Sequence, residues 1–360
     1  MPKRSAALSL SRRLSRQWQA AANRVLRATA GAIKGASTRT AKRAATGAAI
    51  ATAKPTAKDT RSRLAKRASP APPPTAGPGD WIAGLTMGRG GMRRYRLFRP
   101  AGIGADERVP LVVMLHGCGQ DASDFAHSTR MNRVAARERF LVLYPEQSRL
   151  ANPQRCWNWF ETESGRAQAE AAQILAAVDQ VGLLYPVDRD RVAIAGLSAG
   201  AGMAAWLATA HPTRFRAVAM HSGVAPGLAS SASMALRAMR GGGRPPRIAP
   251  RDADVPWPPL LVIQGTQDRV VASANASEAA RQWAAAAGAT ATAPRELRRG
   301  RRHPMTVVDF KRRGHVAATL VEIHGLAHAW SGGAARQPFS DPAGPDATAM
   351  IWRFFAKRLR

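Results

Sequence analysis

Residues 196–200 read Gly196-Leu-Ser198-Ala-Gly200 and follow the apolar run Val-Ala-Ile-Ala at positions 192–195. A helical pattern begins near Gly202, which predicts the serine at a tight turn from a buried strand into a helix. Such a turn exposes the serine hydroxyl at a sheet edge, and glycines flank it because side chains would clash there. In this setting the motif indicates a nucleophilic serine; alone it would indicate only a glycine-rich turn.

The rest of the folded region alternates between short apolar runs and helical patterns. Buried strands are predicted at 110–116, 140–144, 192–195, 217–220, 260–263 and 319–323, with an earlier antiparallel strand at 94–99. Helices are predicted at 167–184, 202–210, 273–287 and 346–358. This alternation predicts an α/β protein with a doubly wound, mainly parallel sheet.

Two stretches interrupt the alternation. Residues 226–259 are rich in Gly, Pro and Arg, and they predict a surface excursion with one helical fragment at 233–239. Residues 295–303 form a basic loop before a predicted hairpin of 306–310 with 316–322. Both stretches are candidates for contacting an extended substrate, although loops ordinarily face bulk solvent.

A serine hydroxyl is a poor nucleophile unless a general base activates it and an acid orients that base. Asp268 follows the predicted strand at 260–263, and His328 follows the predicted strand at 319–323. An aspartate in a turn and a lone histidine are each ordinarily structural. Here, however, the chain order serine, aspartate, histidine is that of α/β-hydrolases. We therefore predict an α/β-hydrolase fold with Ser198 as nucleophile, His328 as general base and Asp268 orienting the histidine.

Acyl transfer also requires backbone N–H groups where negative charge develops on the tetrahedral intermediate. The residue after the nucleophile, Ala199, is expected to supply one donor. The segment His-Gly-Cys-Gly-Gln at 116–120 follows a predicted strand and is expected to supply the other, from Cys118 or, next in order, Gly119. A disulfide from Cys118 to Cys156 would hold this loop, but two reduced thiols are equally compatible with the composition.

Five ordered motifs together resemble the polyhydroxybutyrate (PHB) depolymerase type of esterase, which includes relatives acting on feruloyl and acetyl-xylan esters. The resemblance covers residues 92–360. It is carried by His116-Gly-Cys-Gly-Gln120, Cys156-Trp-Asn-Trp159, Gly196-Leu-Ser-Ala-Gly200, Gly265-Thr-Gln-Asp268 and Gly325-Leu-Ala-His-Ala-Trp330.

The resemblance implies the catalytic set Ser198, Asp268 and His328, with neither a metal ion nor an organic cofactor. It implies that both cysteines lie near the oxyanion site, which favours a Cys118–Cys156 disulfide. Members of this family are commonly secreted, so the resemblance implies an extracellular or cell-envelope location. No clear signal peptide and no run of about 18 apolar residues is evident, which leaves the cytoplasm as the alternative.

Three tryptophans near these motifs are candidates for the substrate site. Trp330 is two residues from the general base, and Trp157 and Trp159 flank the second cysteine motif. We expect them to line the acyl or alcohol site, with core packing as the equal alternative, because tryptophan is largely buried wherever it occurs.

Residues 1–76 form a separate, basic segment. Through Arg67 it has 17 Lys and Arg residues and the single acid Asp59, so this segment carries about half of the net charge of +31. Its one aromatic residue is Trp18. A segment with so many charges and so few large apolar residues cannot offset the entropy cost of ordering by burying side chains. We therefore predict a disordered arm that ends in a proline-rich linker. Residues 77–360 are predicted to form the catalytic domain.

The arm is a candidate for contacting an anionic membrane or granule surface, and less so nucleic acid, with a solvated tail as the alternative. No obligate protein partner is evident. The predicted function is hydrolysis of carboxylic esters through an acyl-enzyme, with short-chain hydroxyalkanoate esters or PHB as substrate, possibly polymeric. A feruloyl or acetyl-xylan esterase is the alternative, and a basic-tailed binding protein with an inactive hydrolase domain is the alternative from another class.

Overall fold

The computed structural model describes residues 78–88, 90–243, 255 and 257–360. The predicted basic arm and nearly all of the proline-rich linker, with their proposed contacts, lie outside the described residues. The division of the chain near residue 77 therefore stays a prediction.

Thirteen strands and seven α-helices form the described part of the chain. The strands are β1 Gly79–Gly88, β2 Gly91–Pro100, β3 Val109–Leu115, β4 Leu141–Pro145, β5 Val187–Leu197, β6 Ala217–His221, β7 Leu260–Gly265, β8 Thr290–Ala291, β9 Arg295–Leu297, β10 Met305–Arg312, β11 His315–Ile323, β12 Trp330–Ser331 and β13 Ser340–Asp341. The helices are α1 Ala122–Thr129, α2 Met131–Glu138, α3 Arg166–Leu184, α4 Ala199–Ala210, α5 Ala232–Met239, α6 Ala274–Ala287 and α7 Ala347–Ala356. None of the described helices is both long and apolar enough to cross a bilayer.

Eleven of these strands form one sheet. Its order is β1-β2-β4-β3-β5-β6-β7-β11-β10-β8, with β9 also paired to β10. The six central strands, from β4 to β11, run parallel. The flanking strands are antiparallel. The prediction of an α/β-hydrolase fold with a mainly parallel sheet is therefore confirmed.

Helices cover both faces of the sheet because the central strands are apolar on both sides. In β3, Leu111, Val113 and Leu115 belong to one core cluster and pack with α3, α4, α5 and α6. The alternate residues Val112 and Met114 belong to the other cluster, with α1, α2 and α7. This alternation is the period of two expected for a strand, here buried on both faces, and it produces the doubly wound arrangement.

The sequence located most elements to within a few residues, with three differences. The helix after Ser198 begins at Ala199 and not near Gly202. Residues 295–297, predicted as loop, form the short strand β9 against β10. The excursion after residue 226 is not wholly superficial, because Leu228 and Ala229 are buried in the core. In addition, strand β1, the two-residue strands β8, β12 and β13, and helices α1 and α2 were not predicted.

We call the edge where the six parallel strands end the carboxyl edge. Strands β5, β7 and β11 all end there, so the residues after them meet at one edge although they are far apart in the chain. Strand β10 is antiparallel to β11 and therefore begins at this edge. Ligand sites of open α/β sheets occupy this position.

Two buried histidines lie at the carboxyl edge. His116 follows β3 and is 1% exposed, and His221 ends β6 with no exposure. Each accepts a backbone N–H at Nε2, from Gln147 and Ser331 respectively, at 3.1 Å. Burial lowers the pKa of His116 to about 4 and that of His221 to about 3. Both rings are therefore neutral in the folded protein near pH 7.

These histidines predict acid-dependent stability. Between about pH 4 and 6.5 the unfolded chain binds protons that the folded chain does not, so the free energy of unfolding rises with pH in this window. His221→Asn removes about one of these protons. It should therefore reduce the slope of the free energy of unfolding against pH by roughly 1 kcal/mol per pH unit. Urea unfolding at pH 4.5, 5.5 and 6.5 measures the slope. His315→Asn, at an exposed position, is the matched control, and an unchanged slope in His221→Asn would contradict the prediction.

Candidate active site

Ser198 lies at the sharp turn between β5 and α4. Its φ of 56° and ψ of −118° lie outside the regions that non-glycine residues ordinarily occupy. A Cβ on Gly196 would lie 2.3 Å from Gly200 backbone atoms, and one on Gly200 would lie 2.2 Å from the Leu115 carbonyl oxygen. Only glycine fits at these two positions, and the turn presents the serine at the carboxyl edge.

Asp268 and His328 meet at the same edge. Their side chains are almost fully buried, 0% and 8% exposed, and His328 Nδ1 lies 2.7 Å from Asp268 Oδ2. An ionised carboxylate only accepts hydrogen bonds, so Nδ1 donates and Nε2 is left to accept a proton. Within the described residues Ser198 Oγ has no hydrogen bond to His328, so that contact stays a prediction.

Asp268 is held as an anion. Burial raises the pKa of this carboxyl, but hydrogen bonds from His328, Val271 and Val270 outweigh burial and lower the pKa below its usual value. Both valine N–H groups donate to Oδ1 at 2.9 Å. Gln264 Nε2 donates to the other oxygen at 3.1 Å. The carboxylate is therefore charged and fixed in orientation, as a residue that orients a histidine must be.

Hydrogen bonds hold the loop that carries His328 at positions before and after the histidine. Before the histidine, Gly325 N–H donates to Thr266 Oγ1 at 3.1 Å. After it, Ser331 N–H donates to His221 Nε2, and the His221 ring stacks on Trp330 with centroids 5.0 Å apart. His221 thus helps to position the loop, a role that the sequence analysis did not assign because nothing in the local pattern marks this histidine.

The three tryptophans predicted near the substrate site differ in their surroundings. Trp157 and Trp330 are fully buried, and their indole N–H groups donate to the His116 carbonyl and to Thr348 Oγ1. Because neither ring reaches solvent, the burial favours core packing, the equal alternative left by the sequence, over lining of the substrate site. Trp159 is 5% exposed and lies against α4, where a Cβ on Gly202 would be 3.0 Å from the ring. Since Gly202 is one helical turn beyond Ser198, substrate contact by Trp159 stays a prediction.

The loop after β3 offers one free N–H group at the expected oxyanion position. Gly119 N–H donates to the Gln154 carbonyl at 2.7 Å and is therefore occupied. Cys118 N–H has no acceptor among the described residues, and neither has the N–H of Ala199, the first residue of α4. Of the two candidate donors that the sequence left open, Cys118 and Gly119, only Cys118 therefore has a free N–H group. Its role as an oxyanion donor stays a prediction.

Residues 116–121, which follow β3 and include the proposed oxyanion donor, are called the oxyanion loop, and residues 147–158 bind this loop at several points. A disulfide joins Cys118 to Cys156, with their Cα atoms 4.3 Å apart. Arg155 and Asp121 form an ion pair at 3.0 Å. His116 accepts the Gln147 N–H at its ring and donates from Nδ1 to the Gly117 carbonyl at 2.8 Å. Covalent and non-covalent links therefore hold the same loop.

A network of buried polar side chains supports residues 147–158. Glu170, 3% exposed, accepts hydrogen bonds from Gln147 Nε2 at 2.7 Å, Asn158 N at 2.9 Å and Asn158 Nδ2 at 2.6 Å. Arg93, 2% exposed, donates to the Gln147 side chain and to the Glu146 carbonyl. Gln147 thus links the buried charges to His116, and through it to the oxyanion loop.

No group of three or more His, Cys, Asp or Glu side chains in the described ranges is placed to hold a metal ion.

The arrangement agrees with comparisons to known proteins. Residues 93–303 match the family described as esterase PHB depolymerase. The chain is 32% identical over 197 residues to poly(3-hydroxyalkanoate) depolymerase C of Paucimonas lemoignei, covering 52% of this chain and 47% of that protein. It is 27% identical over 203 residues to feruloyl esterase B of Thermothelomyces thermophilus, covering 52% and 68%.

A solved structure, the acetyl xylan esterase from Aspergillus awamori, shares the fold with a TM-score of 0.54 and 17% identity, over 77% of this chain and all of that one. The matched segment spans about half the length of the P. lemoignei depolymerase. Because the family match extends over more than half of the chain, the chain belongs to the esterase PHB depolymerase family.

Proposed function

We propose that this protein is a serine esterase that hydrolyses carboxylic esters through an acyl-enzyme, with short-chain hydroxyalkanoate esters as the preferred substrates. The observation that carries the proposal is the 2.7 Å hydrogen bond between buried Asp268 and His328 at the edge where Ser198 lies in its strained turn. An inactive binding protein would have no need of an ionised carboxylate buried against a histidine beside such a serine.

In the first half-reaction His328 Nε2 takes the Ser198 proton as Oγ attacks the ester carbonyl carbon. The carbonyl oxygen becomes an anion and accepts hydrogen bonds from the N–H groups of Cys118 and Ala199. Asp268 stabilises the imidazolium that forms. The carbon–oxygen bond to the alcohol then breaks, and His328 returns the proton to the leaving oxygen.

In the second half-reaction a water molecule attacks the acyl-enzyme carbonyl while His328 takes one of its protons. The second oxyanion accepts hydrogen bonds from the same two N–H groups. Collapse of this intermediate breaks the bond to Ser198 Oγ, which regains its proton from His328, and the carboxylic acid leaves. Trp159 is proposed to border the acyl or alcohol site, since its ring packs one helical turn from the nucleophile.

The choice of hydroxyalkanoate esters rests on the 32% identity to the P. lemoignei depolymerase. Feruloyl or acetyl-xylan esters are the second candidate, supported by the 27% identity to feruloyl esterase B. The machinery is the same for both classes, so only the surrounding loops distinguish them. Hydrolysis of PHB and of methyl ferulate by the same preparation decides between the two substrates.

Ser198→Ala should reduce kcat for p-nitrophenyl butyrate by at least about 1,000-fold, and Asp268→Asn by about 1,000- to 10,000-fold, because each removes a member of one catalytic unit. Initial rates with acetate, butyrate and octanoate esters of p-nitrophenol provide the measurement. Ser164→Ala and Asp179→Asn, both at exposed positions, are the matched controls and should retain wild-type rates. Equal rates for Ser198→Ala and wild type would refute the serine mechanism.

Glu170→Gln tests the network beneath the oxyanion loop. Replacing the carboxylate puts an amide N–H where Asn158 and Gln147 now donate, so the loop should shift and kcat should fall about 10-fold. KM should change less than two-fold, since the donors act mainly in the transition state. Near-UV circular dichroism verifies folding, and Glu107→Gln, at a partly exposed position at the opposite edge, is the control. An unchanged kcat in folded Glu170→Gln would mean that the network serves stability alone.

A further inference from the structure

We propose that unpaired arginines beside the catalytic histidine loop bind a carboxylate of the substrate, so that the preferred esters are anionic. The group consists of Arg269, Arg298, Arg299 and Arg301, and we call it the cationic rim. The proposal rests on the esterase function proposed above and specifies which of its substrates are preferred.

The rim lies at the carboxyl edge, next to the catalytic residues. Arg269 directly follows Asp268. The other three arginines belong to the loop between β9 and β10, which contacts the start of the His328 loop. His324 N–H donates to the Pro304 carbonyl at 2.9 Å, and a Cβ on Gly325 would lie 3.7 Å from His303 Nδ1.

Hydrogen bonds made by Arg302 and His303 hold the loop between β9 and β10, and the side chains of the cationic rim take no part in them. Arg302, which is half-buried, donates from Nη1 to the Gly344 carbonyl at 2.6 Å. His303 N–H donates to the Ala343 carbonyl at 3.1 Å. The loop therefore has a defined position, and the rim side chains are left on its exposed surface.

The rim arginines have no carboxylate partner within 4 Å in the described part of the chain. Two of the acids near this loop are engaged elsewhere, because Asp341 contacts His303 at 3.1 Å and Glu296 bonds to Thr306 Oγ1. At the opposite edge of the sheet, four arginines are ion-paired, namely Arg99 with Asp80, Arg139 with Glu107, Arg191 with Asp188 and Arg214 with Asp179.

Three arginines within four consecutive positions, 298 to 301, raise the local positive potential, which attracts anions and increases their association rate. The guanidinium group matches a carboxylate in a two-point hydrogen-bonded geometry. A soluble oligomer of a hydroxy acid carries one carboxylate at its end and ester groups along its length. Such an oligomer can place an ester at Ser198 while its carboxylate contacts the rim. The geometry thus favours carboxylate-ended oligomers over neutral esters.

The test compares the 3-hydroxybutyrate trimer as a free acid with its methyl ester, at 20 mM and 500 mM NaCl. We expect kcat/KM for the acid to exceed that for the methyl ester about 10-fold at low salt, and the difference to shrink at high salt because exposed charges are screened. Arg298→Ser/Arg299→Ser/Arg301→Ser should reduce kcat/KM for the acid about 10-fold and leave the methyl ester within two-fold.

A second triple variant, Arg137→Ser/Arg189→Ser/Arg313→Ser, makes the same charge change at exposed positions away from the carboxyl edge and should alter neither rate. Equal rates for acid and methyl ester at both salt concentrations overturn the rim proposal, as does an equal loss on both substrates in the rim variant. p-Nitrophenyl butyrate, a neutral ester, separates this result from the esterase proposal. If wild type hydrolyses it, only the rim proposal fails; if wild type is inert on every ester, the proposed function fails.

Discussion

The close approach of α4 to the end of β3 is the contact on which the candidate site depends. A Cβ on Gly200 would lie 2.2 Å from the Leu115 carbonyl oxygen and 2.6 Å from that of His116, so only glycine permits it. This packing forces the tight turn that holds Ser198 at a φ of 56°. It also brings the first N–H of α4 beside the loop that follows β3. One steric constraint therefore positions the nucleophile and both proposed oxyanion donors.

Polar groups buried behind the site keep this arrangement rigid. His221 accepts a hydrogen bond from Ser331 after the catalytic histidine, and His116 accepts one from Gln147 beneath the oxyanion loop. Both rings accept at Nε2, which requires them to be neutral, and burial lowers the pKa of each well below its usual value. The disulfide is thus one of several links, and the network around Glu170 holds the same loop by hydrogen bonds. Preorganised donors of this kind avoid reorganisation when charge develops in the transition state.

Arginines at the edges of the sheet differ in whether a carboxylate neutralises them. Ion pairs neutralise Arg99, Arg139, Arg191 and Arg214 at the edge away from the site, whereas the cationic rim has no carboxylate partner among the described residues. We therefore infer that the unpaired charge of the rim acts on association with an anionic ester and not on the fold.

The sequence by itself determined the fold class and which residues come to the carboxyl edge, because these follow from local signals. Apolar strands alternating with helices specify the parallel sheet, and Ser198, Asp268 and His328 each follow their own strand. The tertiary structure alone decided which N–H of the oxyanion loop is free, because Gly119 is occupied by Gln154, 35 residues further along the chain. It also decided that Trp157 and Trp330 are core residues and that His221 and Glu170 support the site. Burial and hydrogen-bond partnership depend on contacts between distant segments, and no local pattern encodes them.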